Sequence, residues 1–138
     1  MADPQRPLPK LHDLDTRPFW EATKNQELKY QQCADCDTVV FYPRRHCTGC
    51  LGNNLIWKNS AGKGTVYTYS VVRQSYHPFF RQRVPYAVAW IDLDEGPRLV
   101  SNVVGVEDPL RDVQIGMRVQ VRWEEHEELS VPLFEPEP

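Results

Sequence analysis

The sequence lacks the segments that would place the protein in or across a membrane. It has no apolar run approaching the roughly 18 residues that a membrane-spanning helix needs. Its beginning, MADPQRPLPK, has no apolar stretch of the kind found in secretion signals. We therefore expect a cytoplasmic protein with no membrane partner.

Residue groups that carry out catalysis are also missing. The stretch GKGT at 62–65 lacks the spacing and the preceding strand of a phosphate-binding loop. The four histidines are scattered and suggest no serine–histidine–aspartate order. The carboxylates of Asp92, Asp94 and Glu95 fall in one charged turn, for which a solvated hairpin loop is the favoured interpretation. We predict no catalytic residue and expect that the chain alone is not an enzyme.

Acidic residues are absent from a long central stretch, although the net charge of the 138-residue chain is −3. No Asp or Glu occurs from Thr38 to Ile91, whereas residues 124–138 carry six Glu and no Lys or Arg. Such a block predicts contact with an anionic ligand or an acidic partner, unless it only offsets a metal–thiolate charge. Its seven basic residues are Arg44, Arg45, Lys58, Lys63, Arg73, Arg81 and Arg83.

All four cysteines lie within one stretch, CADCDTVVFYPRRHCTGC. Cys33 and Cys36 form one Cys-x2-Cys pair, and Cys47 and Cys50 form the second after ten intervening residues. Four thiolates at this spacing suit the tetrahedral shell of one structural zinc ion. Disulfides are the alternative, but they are rare inside cells. Iron in a rubredoxin-like shell is a further alternative that the spacing leaves open.

The remaining pattern predicts a mainly β protein in three parts. These are an N-terminal arm and helix (1–26), a rubredoxin-like zinc ribbon (27–59) and a five-stranded OB-fold barrel with an acidic tail (60–138). Thr16 is a plausible helix N-cap, with the helix ending near Lys24 or Asn25. A helical or looped crossing between the third and fourth barrel strands favours the OB fold, although an SH3-like barrel would look similar. The predicted strands cover residues 27–31, 55–59, the stretches GTVYTYSVVRQS, PYAVAWIDLD, PRLVSNVVG and MRVQVRWEE, and residues 130–134.

Two groups of large side chains are candidates for contact with a partner. Phe19 and Trp20 lie on the helix and either pack inside the chain or dock on a partner subunit. The ten-residue connection SYHPFFRQRV, residues 75–84, joins two predicted strands at the end of the barrel where OB folds bind ligands. It either folds back over the barrel or contacts a partner or an anion. Its candidate contact residues are Tyr76, His77, Phe79, Phe80, Arg81 and Arg83.

These motifs, in this order, resemble one known family. The sequence is similar to the acyl-CoA-associated zinc-ribbon/OB-fold proteins, known as domain of unknown function 35, from Thr16 to Phe134. The resemblance implies a helical segment, a zinc ribbon and an OB barrel, with the four cysteines as metal ligands. This sequence departs from the family pattern at Asp37, because a glycine commonly follows the second cysteine in that family. The shared landmarks are PFWEATKNQELKYQQCADC, CTGC, GKGTVYTYSVV, VPYAVAWIDLDEGPRL, MRVQVRW and VPLF.

The resemblance also implies a function. Members of this family look like accessory subunits of thiolase-superfamily enzymes that make or break C–C bonds in acyl-CoA esters, including steroid side chains and aromatic acids. The partner would supply the catalytic groups in a lyase or acyltransferase complex, and acyl-CoA would lie at or near the interface of the hetero-oligomer. The alternative is a single-stranded nucleic-acid-binding protein, since zinc ribbons and OB barrels both serve that role. The pI of about 5.8 argues against a nucleic-acid partner.

Overall fold

An N-terminal arm and a short helix precede the sheets in the structure, a computed structural model that describes residues 3–138. Helix α1 (Arg17–Lys24) buries Phe19, Ala22 and Thr23 against the rest of the chain. Thr16 precedes the helix as predicted, but its hydroxyl makes no capping hydrogen bond. No helix among the described residues is both long and apolar enough to cross a membrane.

A small antiparallel sheet follows the helix and contains the cysteine-bearing turns. Its strand order is β2-β1-β3, with Gln31 opposite Val40 on one side and opposite Trp57 on the other. The two-residue strand β2 was not predicted, because a strand this short has no readable alternation. The strands are β1 (Lys29–Cys33), β2 (Val39–Val40) and β3 (Leu55–Asn59).

A closed five-stranded barrel forms the rest of the protein. Its strand order, β4-β5-β6-β8-β7, with β7 returning to β4, confirms the predicted OB fold over the SH3-like alternative. The predicted crossing between the third and fourth barrel strands contains helix α3. The loop between the first two contains the short helix α2, which the sequence did not indicate. The elements are β4 (Lys63–Val72), α2 (Pro78–Arg81), β5 (Tyr86–Leu93), β6 (Arg98–Val103), α3 (Pro109–Asp112), β7 (Arg118–Glu125) and β8 (Ser130–Pro136).

The apolar core lies inside the barrel, because alternate residues of each strand point inward. Phe134, Ile91 and Val119 are fully buried there. Phe19 of α1 and Leu28, just before β1, belong to the same buried cluster. Thr23 ties the helix to the barrel, since its hydroxyl accepts a hydrogen bond from the Ser130 N–H at 3.1 Å. The helix is therefore packed on this chain's own barrel.

Candidate functional site

The four cysteine sulfurs meet at one point of the small sheet. The Sγ atoms of Cys33 and Cys50 are 3.7 Å apart, and those of Cys36 and Cys47 are 3.5 Å apart. All four lie within 4.8 Å of one another, and none forms a disulfide. Zinc–sulfur bonds of about 2.3 Å in a tetrahedron place sulfurs about 3.8 Å apart. The arrangement fits one structural zinc ion, and a disulfide would need sulfurs about 2 Å apart.

Two tight turns bring each cysteine pair together. Asp37 and Leu51 follow the second cysteine of each pair and adopt left-handed backbone angles, with φ of 64° and 63°. The Asp37 N–H donates to the Cys33 carbonyl at 2.9 Å, and the Leu51 N–H donates to the Cys47 carbonyl at 3.0 Å. Aspartate tolerates this conformation better than most residues. Asp37 therefore fills the position where the family commonly has glycine.

The thiols influence one another's protonation. Hydrogen bonds from backbone N–H groups, first that of Cys50, lower the pKa of the Cys47 thiol to about 6. The Gly52 N–H lowers the pKa of Cys50, but the neighbouring thiols and burial outweigh it and raise that pKa to about 12. Four adjacent thiolates thus need a cation to share their charge. Because the four sulfurs complete a tetrahedral shell, the ion would have no open position for substrate, and its role is structural.

A second feature is a cavity at a gap in the barrel wall. Strands β6 and β8 share one paired position, Val103 with Phe134, and residues of both strands before that position line the cavity. The gap opens into a cavity of about 540 Å³, which we call the seam cavity. Helix α1, the chain after β2 and the barrel each supply part of its wall. Its lining residues are Arg6, Thr16, Phe19, Trp20, Phe41, Tyr42, Pro43, Phe80, Tyr86, Val88, Leu99, Val100, Ser101, Asn102, Val131, Pro132 and Leu133.

Tyr42 of the ribbon contacts the edge of β6 at this gap. Tyr42 has a left-handed φ of 64°, and its hydroxyl accepts a hydrogen bond from the Val100 N–H at 3.0 Å. This bond satisfies a donor on the free edge of β6. The ribbon and the barrel thus share the wall of one cavity.

A smaller cavity of about 370 Å³ adjoins the seam cavity beside the 75–84 loop, and we call it the loop cavity. Arg6 of the N-terminal arm lies between the two and lines both. Its guanidinium donates to both carboxylate oxygens of Glu124, at 2.5 and 3.0 Å, and lies 4.8 Å from the centre of the Phe79 ring. Burial would raise the pKa of Glu124, but hydrogen bonds from Arg6 and His126 hold it below its usual value.

The residues predicted in the 75–84 loop separate into inward and outward groups. Phe79 is buried, and Phe80 lines both cavities. Arg83 lines the loop cavity, with its guanidinium 4.1 Å from the centre of the Phe79 ring. Tyr76 is 83% exposed and lines neither cavity.

Two of the predicted loop residues hold the shape of the loop. His77 caps α2, because its Nδ1 accepts a hydrogen bond from the Phe79 N–H at 3.1 Å. Arg81 donates to the Tyr76 carbonyl at 2.8 Å. The structure thus brings Phe19, Trp20 and Phe80 to the seam cavity, and leaves Tyr76, His77 and Arg81 outside it.

Sequence reasoning missed two contributors to this site. Arg6 lies in an arm without periodicity, and its partner Glu124 is 118 residues away. Tyr42 is one of two adjacent aromatic residues between the cysteine pairs, and nothing in the sequence distinguishes it from Phe41. A weak signal was available for Arg6, since it is the only charged residue between Asp3 and Lys10.

The fold and the metal centre together define a class of protein, in which a four-cysteine zinc ribbon precedes an OB-fold barrel. Two family models match the chain: "ChsH2, rubredoxin-like zinc ribbon domain" over residues 20–55 and "ChsH2, C-terminal OB-fold domain" over residues 57–124. A solved structure titled "Ltp2-ChsH2(DUF35) aldolase" is 38% identical, with a TM-score of 0.81, over 95% of this chain and 98% of that chain. The protein belongs to the DUF35 family represented by ChsH2, which confirms the resemblance found in the sequence.

Curated relatives are longer than this chain. A protein of Thermomonospora curvata named probable enoyl-CoA hydratase alpha subunit is 38% identical over 95% of this chain and 40% of its own length. The 3-oxo-4,17-pregnadiene-20-carboxyl-CoA hydratase alpha subunit of Mycobacterium tuberculosis is 29% identical over 98% of this chain and 42% of its own length. The chain spans about two fifths of the length of these two relatives.

Proposed function

We propose that this chain is a non-catalytic accessory subunit that binds a thiolase-like enzyme and supports C–C bond cleavage or formation on acyl-CoA substrates. The observation that carries the proposal is the 38% identity, over nearly the whole of both chains, to the ChsH2(DUF35) component of an aldolase. The names of the longer relatives add CoA ester chemistry, one of them on a steroid-derived acyl group. A steroid side chain or an aromatic acyl group is therefore the substrate class we favour.

The residues of this chain supply one structural metal site. Among the described residues, the only cluster of three or more cysteine, histidine or acidic groups close enough to hold a metal is the set of four cysteines. Those thiols would hold the structural zinc ion. The partner would then supply the nucleophile and the acid or base.

An exposed aromatic face on the barrel offers a docking surface for that partner. Tyr67 on β4, Trp90 on β5 and Val100 on β6 are each nearly half exposed, at 48%, 46% and 46%. Trp90 lies directly opposite Val100, and Tyr67 stacks beside Trp90 with ring centres 6.4 Å apart. Neighbouring apolar side chains that stay in water are typical of protein interfaces.

The basic side of the 75–84 loop is suited to the phosphates of CoA. Within residues 3–138, the arginines with a carboxylate partner are Arg6, Arg45, Arg98, Arg111, Arg118 and Arg122. Arg81 and Arg83 are not among them, so their charge remains available to an anion. Arginine binds phosphate oxygens with paired, charge-assisted hydrogen bonds.

Co-purification with a thiolase-like partner tests the proposal. We expect the tagged chain to capture the enzyme encoded beside it, and the complex to act on an acyl-CoA ester that neither protein transforms alone. Reversing both loop charges, Arg81→Glu with Arg83→Glu, should lower acyl-CoA turnover or assembly while the subunit stays folded. The matched control is Lys10→Glu with Lys24→Glu, a pair of exposed lysines outside the loop and outside the central basic block, which should change neither.

Two outcomes would contradict the proposal. One is failure of the chain to capture any thiolase-like enzyme under conditions where it is folded and contains zinc. The other is tight, salt-sensitive binding of a labelled single-stranded oligonucleotide, which is the behaviour expected of a nucleic-acid-binding OB fold.

A further inference from the structure

The seam cavity has the walls of a site for a bulky apolar group. Aromatic rings from separate elements meet in it. Phe19 of α1 packs edge to face on Phe41 at 5.5 Å between ring centres, and Phe80 lies 5.9 Å from Tyr86. The edge of Trp20 closes another side, since its ring centre is 4.9 Å from that of Phe19. A volume of about 540 Å³ lies within the range of small-molecule sites.

Three polar groups in the wall of the cavity are already engaged within the chain. The Ser101 hydroxyl donates to the Pro132 carbonyl at 2.7 Å, and the Asn102 amide donates to the Ala87 carbonyl at 2.9 Å. The Tyr42 hydroxyl accepts the Val100 N–H. A ligand group inside would gain mainly by leaving water, which favours an apolar group over a polar one.

Charge lies on only one side of the seam cavity, where it adjoins the loop cavity. Arg6 is neutralised by Glu124, whereas Arg83 has no carboxylate partner among the described residues. The loop cavity also contains Glu107 and Asp108. Glu107 pairs with Arg111, and the Asp108 carboxylate accepts the Leu110 N–H at 3.0 Å, so both are engaged elsewhere.

An apolar chamber beside a free guanidinium matches a ligand that is apolar at one end and anionic at the other. We propose that the seam cavity binds the acyl group of a CoA ester, with the polar end of the ester directed past Arg6 toward Arg83. This inference rests on the proposed role in acyl-CoA chemistry. It goes further by placing the acyl group, rather than only the CoA phosphates, on this chain.

Trp20, one of the four tryptophans of the chain, allows a direct test with the whole zinc-loaded chain. We would titrate octanoyl-CoA and benzoyl-CoA, with free CoA as the ligand lacking the acyl group, and follow Trp20 and the methyl signals of Val88 and Val131 by NMR. Both esters should shift the Trp20, Val88 and Val131 signals, and CoA should leave them unchanged. Val88→Trp, which fills the cavity, should weaken binding of the esters by about tenfold or more.

Ile56→Trp is the matched control, because it also places a tryptophan at an aliphatic position, but on a strand outside both cavities. It should bind the esters like the wild type. The inference is overturned if CoA shifts the cavity signals as much as its esters do, if none of the three ligands shifts them, or if Val88→Trp binds like the wild type. Partner capture by the wild type is measured separately. Retained capture with unchanged cavity signals would reject the acyl site and leave the proposed function standing.

Discussion

The ribbon and the barrel are stabilised in different ways. Within residues 29–59, the buried apolar side chains other than cysteines are Tyr30 and Val40. The barrel buries a continuous cluster that includes Ile91, Val119 and Phe134. Apolar burial contributes about 25 cal/mol per Å², so the barrel can hold itself together, whereas the ribbon depends on metal binding. A small sheet without an apolar core can thus have a defined structure if a metal ion fixes its turns.

The two regions nevertheless share surfaces. Glu95, at the tip of the β5–β6 hairpin, accepts hydrogen bonds from the Ser60 hydroxyl and the Ala61 N–H, both at 2.7 Å, in the segment that joins β3 of the ribbon to β4 of the barrel. Tyr42 of the ribbon bonds the free edge of β6. The seam cavity lies between these regions, so its shape should depend on the zinc ion as well as on the barrel.

The largest expected effect is loss of the zinc site. Cys47→Ser removes one of four ligands, and structural zinc binding contributes about 10 to 16 kcal/mol at neutral pH. We expect zinc content to fall from one equivalent to near zero and the ribbon to lose order, while the barrel remains folded. Metal analysis and NMR measure both. Asn53→Ser, at an exposed position beside the second cysteine pair, should retain zinc. Full zinc content in Cys47→Ser would contradict the four-sulfur site.

The second expected effect is on the barrel alone. Phe134 is fully buried, and Phe134→Ala should lower the free energy of unfolding of the barrel by about 3 to 5 kcal/mol. Zinc content should stay at one equivalent. Urea unfolding measures the change, and Leu110→Ala, at a 47% exposed position, should shift stability by less than about 0.5 kcal/mol. If Phe134→Ala lost zinc as well as barrel stability, the ribbon and the barrel would not be stabilised separately.

The third effect concerns the link between the regions. Glu95→Ala removes the acceptor for Ser60 and Ala61 and should cost about 1 to 3 kcal/mol, since hydrogen bonds to charged groups are stronger than neutral ones. Stability of the barrel should also become less sensitive to zinc removal. Asp92→Ala is the control, because that carboxylate pairs only with the neighbouring Arg98 on the surface. Equal zinc sensitivity in Glu95→Ala and the wild type would reject Glu95 as the link.

The smallest effect is a pH dependence of the N-terminal arm. Because the folded pKa of Glu124 is lowered, its ion pair with Arg6 contributes stability at neutral pH that is lost as the pH falls through the folded pKa, below the usual 4.5. Water screens this partly exposed pair, so we expect about 1 kcal/mol or less. NMR signals of residues 4–10 should move toward random-coil positions at low pH in the wild type. Arg6→Met should place them there already at neutral pH, and wild-type signals that do not change with pH would contradict this.

The features that could be predicted from the sequence are those set by the spacing of nearby residues. Two Cys-x2-Cys pairs indicated the metal cluster, and alternation of side chains gave the five barrel strands and their OB order. The division at residues 26/27 and 59/60 stays a prediction. Glu95 differs from its interpretation as part of a solvated loop, because its partners Ser60 and Ala61 belong to a segment that the hairpin meets only after folding.

The seam cavity could not be predicted, because it depends on pairing between strands far apart in the chain. Nothing in the sequence around Val103 or Phe134 shows that β6 and β8 pair at one position and line a cavity before it. Arg6 and Tyr42 likewise acquire their roles only through distant partners. The contact roles of Trp20 and of the 75–84 loop remain proposals.

Hydrogen exchange of the full chain, before and after zinc removal by a chelator, tests most directly the claim that metal holds the ribbon and an apolar core holds the barrel. The account predicts that amides of residues 29–59 lose protection when zinc is removed, whereas those of β4 to β8 keep theirs apart from the edge of β6 at Val100. Simultaneous loss of protection in both regions, or unchanged protection in the ribbon, would contradict it.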